Sequence, residues 1–223
     1  LNMQPIKYGW KFVRSLKGKS FFNLFVEWLR ACSMWRFSVG ILAGGKATRM
    51  DNQDKGLVKI NDVPLIEKLL NEISPHTSNI VINANRSIKT YKEYGYPVIK
   101  DLLNDFQGPL AGIYSLLKNI DTEYLITLPC DCPNFSWEVI QKMIDEIKPI
   151  DKVCIAHNGL RSQPVFMLVS KTKVESLYDF LNNGDRKIDI WYQSNEHKYI
   201  YFDKNVNYFD NINTVEQLNE YNK

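Results

Sequence analysis

SVGILAGGKATRMDNQDKGL, residues 38–57, sets the reading of the whole chain. An apolar run through Val39, Ile41 and Leu42 stops at Gly44-Gly45, and the cations Lys46, Arg49 and Lys55 follow. A short apolar run closed by a glycine pair predicts a buried strand opening into a loop. Without a β-carbon at Gly44 or Gly45, the backbone N–H groups of that loop can approach an anion, and glycine admits the positive φ that lets them converge. The loop thus has the shape and the charge to hold a nucleotide phosphate. It matches neither G-x-x-x-x-G-K-[ST] nor G-x-G-x-x-G, so the P-loop and dinucleotide readings fail on spacing. A plain strand-to-helix turn with a solvated basic loop fits the same residues, and the choice falls to what the other strands carry at their ends.

Downstream, strand and helix patterns alternate. Residues 64–74 predict a helix that starts at Pro64 and turns Leu65, Ile66, Leu69, Leu70 and Ile73 inward. Short apolar strands are expected at 80–83, 97–100 and 124–128, with helices at 110–119 and 137–147. Strands of this kind suit the centre of a parallel sheet covered on both faces. Residues 152–156 and 163–169 flank Asn158-Gly159, which predicts a hairpin at the sheet's edge. Helical spacing returns at 171–181 and 186–192, a strand follows at 199–202, and a last helix over 214–221 has Thr214 as its N-cap. The expected fold class is α/β: a three-layer, doubly wound, mostly parallel sheet of nucleotide-binding, Rossmann-like topology, over residues 38–223.

Residues 1–37 differ from the rest, with seven Lys or Arg against Glu27 alone and with Trp10, Phe21, Phe22, Phe25, Trp28 and Trp35. Phe21, Leu24, Phe25, Trp28 and Leu29 recur at helical spacing, so an amphipathic helix that lies on a membrane or a partner is one reading. An N-terminal extension outside the fold is the other, with Met34 just ahead of the first strand. Glu27 and Arg30 interrupt the apolar core that a signal peptide needs.

The whole chain carries only +3, so the residues after this segment are net negative, which argues against a general nucleic-acid surface. The 44% hydrophobic and 24% charged residues of its 223 make an ordinary globular domain rather than a disordered chain. Cys32, Cys130, Cys132 and Cys154 form no secreted disulfide framework, and Cys130-x-Cys132 is too tight for a C-x₂-C zinc half-site. Reduced, structural thiols in a cytoplasmic protein are expected. No apolar run reaches the roughly 18 residues of a membrane span.

Open parallel sheets bind ligands beyond the carboxyl ends of their strands. In this chain those ends offer Gly44-Gly45 after the first strand, Asn83 and Asn85 after the second, Asp101 after the third and Asp131 after the fourth. Asp131 sits in LPCDCP, between an apolar strand and Pro133, where a carboxylate facing a cleft can hold Mg²⁺ together with substrate phosphates. Its competing role is to cap the next helix, but that helix has its own cap in Ser136. For Asn83 and Asn85 the competing role is turn formation, and for Lys55 it is a solvated lysine. Gly108-Pro109-Leu110-Ala111-Gly112 opens a helix whose N–H groups can receive polar ligand atoms. His76, His157 and His197 share no metal or triad spacing, and there is no G-x-S-x-G elbow.

Seven stretches make the chain resemble the molybdenum cofactor guanylyltransferases, the MobA family. They are ILAGGKATRM at 41–50, DKGL at 54–57, VINANR at 81–86, IKD at 99–101, GPLAGI at 108–113, PCDCP at 129–133 and NINTVEQL at 211–218, all in the family's order. The resemblance covers everything after residue 37. It implies a fold of the nucleotidyltransferase type and an enzyme that transfers GMP from GTP to molybdopterin, forming the guanine dinucleotide and pyrophosphate. Nucleotide contacts are thereby assigned to Leu42, Ala43, Gly44, Lys55, Asn83, Asp101 and Asp131, Mg²⁺ to Asp131, and catalysis to Arg49, Lys55 and Asp131. GTP and molybdopterin are the implied partners, beside proteins that deliver or accept the molybdenum cofactor. A cytidylyltransferase on the same cofactor, a sugar-phosphate nucleotidyltransferase and a non-catalytic nucleotide-binding protein are the alternatives. The chain departs from the family pattern at 50–54, which lacks the usual glycines, at Gln163-Pro164 in place of His-Pro, and at Thr214-Val215 in place of Thr-Pro.

Overall fold

The computed structural model describes residues 36–45, 54–103 and 108–221. The extension proposed for residues 1–37, with its amphipathic helix, lies almost wholly outside them, as do Lys46, Arg49 and Cys32.

Seven strands form the main sheet. In chain order they are β1 (Phe37–Leu42), β4 (Ile80–Asn83), β5 (Val98–Ile99), β6 (Tyr124–Pro129), β7 (Val153–His157), β8 (Ser162–Ser170) and β9 (Lys198–Tyr201), while β2 (Lys59–Ile60) and β3 (Val63–Pro64) make a separate hairpin. The spatial order is β5-β4-β1-β6-β8-β7-β9. β5, β4, β1 and β6 run parallel, β8 runs against both β6 and β7, and β9 is parallel to β7.

Seven α-helices are described: α1 (Leu65–Ile73), α2 (Ile88–Glu93), α3 (Pro109–Asn119), α4 (Trp137–Glu146), α5 (Val174–Asn182), α6 (Ile188–Gln193) and α7 (Val215–Tyr221). This is the mostly parallel, helix-flanked sheet expected from the strand pattern.

Residues of both parities along the strands are buried, so the sheet is covered on both faces. On one face Val81, Leu125, Val153, Ile155, Met167 and Val169 pack with Leu110, Ile113, Leu116 and Leu117 of α3, Leu177 and Leu181 of α5, and Trp191 and Tyr192 of α6. The opposite parity supplies Val39, Ile41, Ile80, Ile82, Ile126 and Leu128, all 3% exposed or less. The five apolar residues assigned to the inner face of α1 are all buried.

Three local features differ from the sequence reading. The Asn158-Gly159 hairpin exists, with Gly159 at φ 83°, but it is not the edge of the sheet, because β9 pairs outside β7 and takes that place. Pro64 does not open α1 from within. It ends β3 and caps the helix, since Asn61 and Asp62 (φ 51° and 65°) form a two-residue turn with both central residues left-handed, the geometry that closes a tight hairpin. Asn-Asp between Lys59-Ile60 and Val63-Pro64 was the available signal for it. Helix α2 is also new; its single fully buried residue, Tyr91, gave no amphipathic period to detect.

Candidate active site

Register places the predicted ligand residues side by side. Leu42 pairs with Asn83 on one side and Pro129 on the other, and Asn83 pairs with Ile99. The residues just past these positions, namely Ala43-Gly44, Ala84-Asn85, Lys100-Asp101 and Cys130-Asp131, therefore leave the sheet along one edge. The ladder continues a step further, with Ala43 N–H donating to the Asn83 carbonyl (2.8 Å) and Cys130 N–H to the Leu42 carbonyl (3.2 Å).

Two polar groups stand along this edge. At the ends of β4 and β5, Asn83 Nδ2 donates to Asp101 Oδ1 (2.8 Å) and to the Ile99 carbonyl (3.1 Å). Asn85 Nδ2 donates to Asp101 Oδ2 (2.7 Å) and to the Gly44 carbonyl (3.3 Å), and its Oδ1 accepts the Asp101 N–H (2.9 Å). Both oxygens of Asp101 are thus held by asparagine amides, and the glycine loop is tied to the same carboxylate through Asn85. Asn83 is 2% exposed, so its side chain acts as a strut that orients Asp101. The helix α3 can lie over it because Gly112 lacks a β-carbon; one placed there would overlap the Asn83 amide oxygen.

At the end of β6, Lys55 Nζ donates to Asp131 Oδ2 at 2.8 Å and to Asn213 Oδ1 at 2.7 Å. The Asp131 side chain is 9% exposed and that of Lys55 26%. The competing roles weighed above for these two residues are absent: Ser136 caps α4 by accepting the Glu138 N–H (3.3 Å), and Lys55 is paired rather than solvated. The Asp131 carbonyl accepts the Ile212 N–H (2.9 Å), which draws the segment before α7 under the strand end. Thr214 and Gln217 cap α7 reciprocally, and Gln217 Oε1 also accepts the Asn213 N–H (2.7 Å), fixing the residue that holds Lys55.

Leu42, Ala43, Gly44, Lys55, Asn83, Asp101 and Asp131 are therefore all at this edge, and Arg49 lies outside the described residues. Sequence reasoning missed Asn213, although it stands inside the NINTVEQL stretch. It also missed Tyr91, which donates to Asp54 Oδ1 at 2.5 Å. The histidines take part in neither group: His76 stacks on Trp137, and His157 and His197 pack against tyrosines of β9 and α6.

Cys130, Cys132 and Cys154 are free and buried. Burial, and then the nearby Asp131 charge, pushes the Cys130 and Cys132 thiols well above their ordinary range, and burial with the Asp151 charge pushes Cys154 up to about 12. Because the folded thiol titrates above its ordinary 9.0, what its burial contributes to stability is complete below pH 9 and is lost as pH climbs through about 12. Thiol reagents at neutral pH are expected to leave these three cysteines unlabelled until the protein unfolds. Peptide mass analysis before and after denaturation checks this, and labelling of Cys130, Cys132 or Cys154 in the folded protein at a free-thiol rate would contradict it.

Among the described residues no three His, Cys, Asp or Glu side chains converge as a metal cage. The donor set fits a hard cation that arrives with phosphate oxygens and waters and needs only one or two protein carboxylates. No helix among the described residues is long and apolar enough to cross a membrane.

Comparison with known proteins identifies the family. The family model for the MobA-like NTP transferase domain matches residues 39–198. A molybdenum cofactor guanylyltransferase of Shewanella halifaxensis is 41% identical over 178 residues, 79% of this chain and 89% of that protein. One from Vibrio vulnificus is 39% identical over 181 residues, 81% and 92% of the two chains. Among solved structures, molybdopterin-guanine dinucleotide biosynthesis protein A from Archaeoglobus fulgidus superposes with a TM-score of 0.69 at 23% identity, covering 83% of this chain and 96% of that one. A cytidylyltransferase from Leptospira borgpetersenii gives 0.63 at 16%, over 81% and 82%. The two structures speak for the nucleotidyltransferase fold, and the sequence relatives carry the family. By its match over most of its length, this chain belongs to the MobA-like NTP transferases and, within them, to the molybdenum cofactor guanylyltransferases.

Proposed function

We propose that this protein transfers GMP from GTP to molybdopterin, forming molybdopterin guanine dinucleotide and releasing pyrophosphate. The Lys55–Asp131 pair at the carboxyl edge of the sheet carries the reading, with the family's named activity behind it. Residues 38–223 are assigned the whole reaction.

The acceptor's terminal phosphate attacks the α-phosphorus of GTP, the bond to the β-phosphate breaks, and pyrophosphate leaves. Main-chain groups of Leu42, Ala43 and Gly44, with the Asn83–Asp101 assembly beside them, hold the nucleoside. Lys55 has three N–H donors and spends two on Asp131 and Asn213, so its third and its charge are directed to the phosphates. Arg49 is assigned as a second cation on the same phosphates. Asp131 would hold Mg²⁺, which supplies charge neutralisation on phosphoryl oxygens. No described side chain is poised as a nucleophile, the two nearest thiols being kept protonated by burial. Rate acceleration thus comes from positioning and electrostatics.

The test is turnover of purified protein with molybdopterin, Mg²⁺ and each of the four NTPs in competition. GTP should be consumed in preference, with pyrophosphate released in equal amount and the guanine dinucleotide as product. Preferential use of CTP, or GTP binding without pyrophosphate release, would overturn the reading.

A further inference from the structure

We propose that Tyr91 is a positioning residue for Lys55, acting through the carboxylate of Asp54; this rests on the role assigned to Lys55 above. Asp54 precedes the one-turn 3-10 helix Lys55–Leu57 and stands at its N-cap, where an aspartate ordinarily accepts N–H groups of its own turn. It makes no such bond. Its Oδ1 instead accepts the Tyr91 hydroxyl at 2.5 Å across 37 residues of chain, and its Oδ2 lies 4.0 Å from Arg86 Nε. The Asp54 side chain is 7% exposed and Tyr91 is fully buried.

Gly56 completes the arrangement. A β-carbon there would sit 2.5 Å from the Tyr91 hydroxyl and 3.4 Å from Cys130 Cβ, so the turn passes against the phenol and the β6 end with no room for a side chain. Lys55 is fixed between Asp54 and Gly56. Its ammonium is anchored by Asp131 and Asn213, while the residue before it, Asp54, is tied to α2 through the Tyr91 hydroxyl. The turn has only the bonds Leu57 N–H to the Asp54 carbonyl (2.9 Å) and Val58 N–H to the Lys55 carbonyl (3.3 Å) of its own. Without the phenol, the Asp54 carboxylate keeps Arg86 beside it but loses its hydrogen bond to α2, and the turn that carries Lys55 loses that tie.

The experiment is a double-mutant cycle on the full chain. Tyr91→Phe is expected to lower kcat about ten- to a hundredfold, the cost of misplacing a catalytic group by about 1 Å. KM for GTP should stay within about twofold, because Lys55 acts on the phosphates in the transition state. In a Lys55→Met background the same substitution should change kcat by less than about twofold, while its shift in melting temperature persists in both backgrounds. Equal fold losses in both backgrounds would make Tyr91 merely structural and overturn the proposal. Asp54→Ala, which removes the oxygen that accepts the Tyr91 hydroxyl, should reproduce both the loss and its masking, and serves if Tyr91→Phe does not fold. Wild-type turnover by Lys55→Met alone would instead sink the role of Lys55 in the reaction, and this proposal with it.

Discussion

Asp131→Asn is expected to cut turnover by about two to three orders of magnitude while the fold survives. Asparagine has nearly the size of aspartate and the main-chain bond from Ile212 to residue 131 is untouched, so packing at the β6 end is preserved. What disappears is the charge. Lys55 faces a neutral amide in place of the carboxylate it holds at 2.8 Å, where its side chain is only 26% exposed, and in the proposed mechanism the cation that travels with the phosphates loses its carboxylate ligand. In the proposed reaction both losses fall where negative charge accumulates as pyrophosphate departs, so kcat should fall far more than the melting temperature. Steady-state release of pyrophosphate and a thermal melt of the same preparation measure this. Turnover within a few-fold of wild type would remove Asp131 from the chemistry.

Asn83→Leu is expected to strike stability and nucleotide binding together. The leucine keeps the branched shape but is bulkier and has no donors. The Ile99 carbonyl keeps its bond from the Ala84 N–H (3.0 Å), but Asp101 Oδ1 loses its buried partner. Leaving a charged acceptor unsatisfied costs about 1–3 kcal/mol or more, and the branched tip meets Gly112 and Gly44, where the amide now fits closely. A total of roughly 2–4 kcal/mol, or a melting point lower by roughly 5–15 °C for a domain of this size, follows. GTP affinity measured by titration should fall as well, since Asp101 is then held by Asn85 alone among these two amides. An unchanged melt with intact GTP binding would show that the strut is dispensable.

The sheet and the edge on which the ligand residues gather were legible because the parallel strands announce themselves. Each is a short apolar run, and a parallel register forces their ends level, so a glycine loop, two asparagines and two aspartates at those ends had to meet. The hairpin at Asn61-Asp62 and helix α2 were not legible in the same way. The first has two-residue strands, too short for alternation, and the second buries a single side chain. Lys55 could be found but not read, since its partners Asp131 and Asn213 are 76 and 158 residues away and nothing local names them. The role of Asn213 hides behind an ordinary capping signal at Thr214 and Gln217. The tyrosine behind Asp54 is invisible for the opposite reason: a buried tyrosine in a short helix looks like core.

Those separations bear on how the molecule is made. No early stretch of the growing chain can assemble the bond set around Lys55, because loop closures of 76 and 158 residues must both be complete before the ammonium meets its two oxygens. Until then a lysine and a carboxylate that end up largely shielded remain solvated, and neither favours collapse. The polar centre is therefore complete only once β6 and the segment before α7 have both reached the sheet's edge.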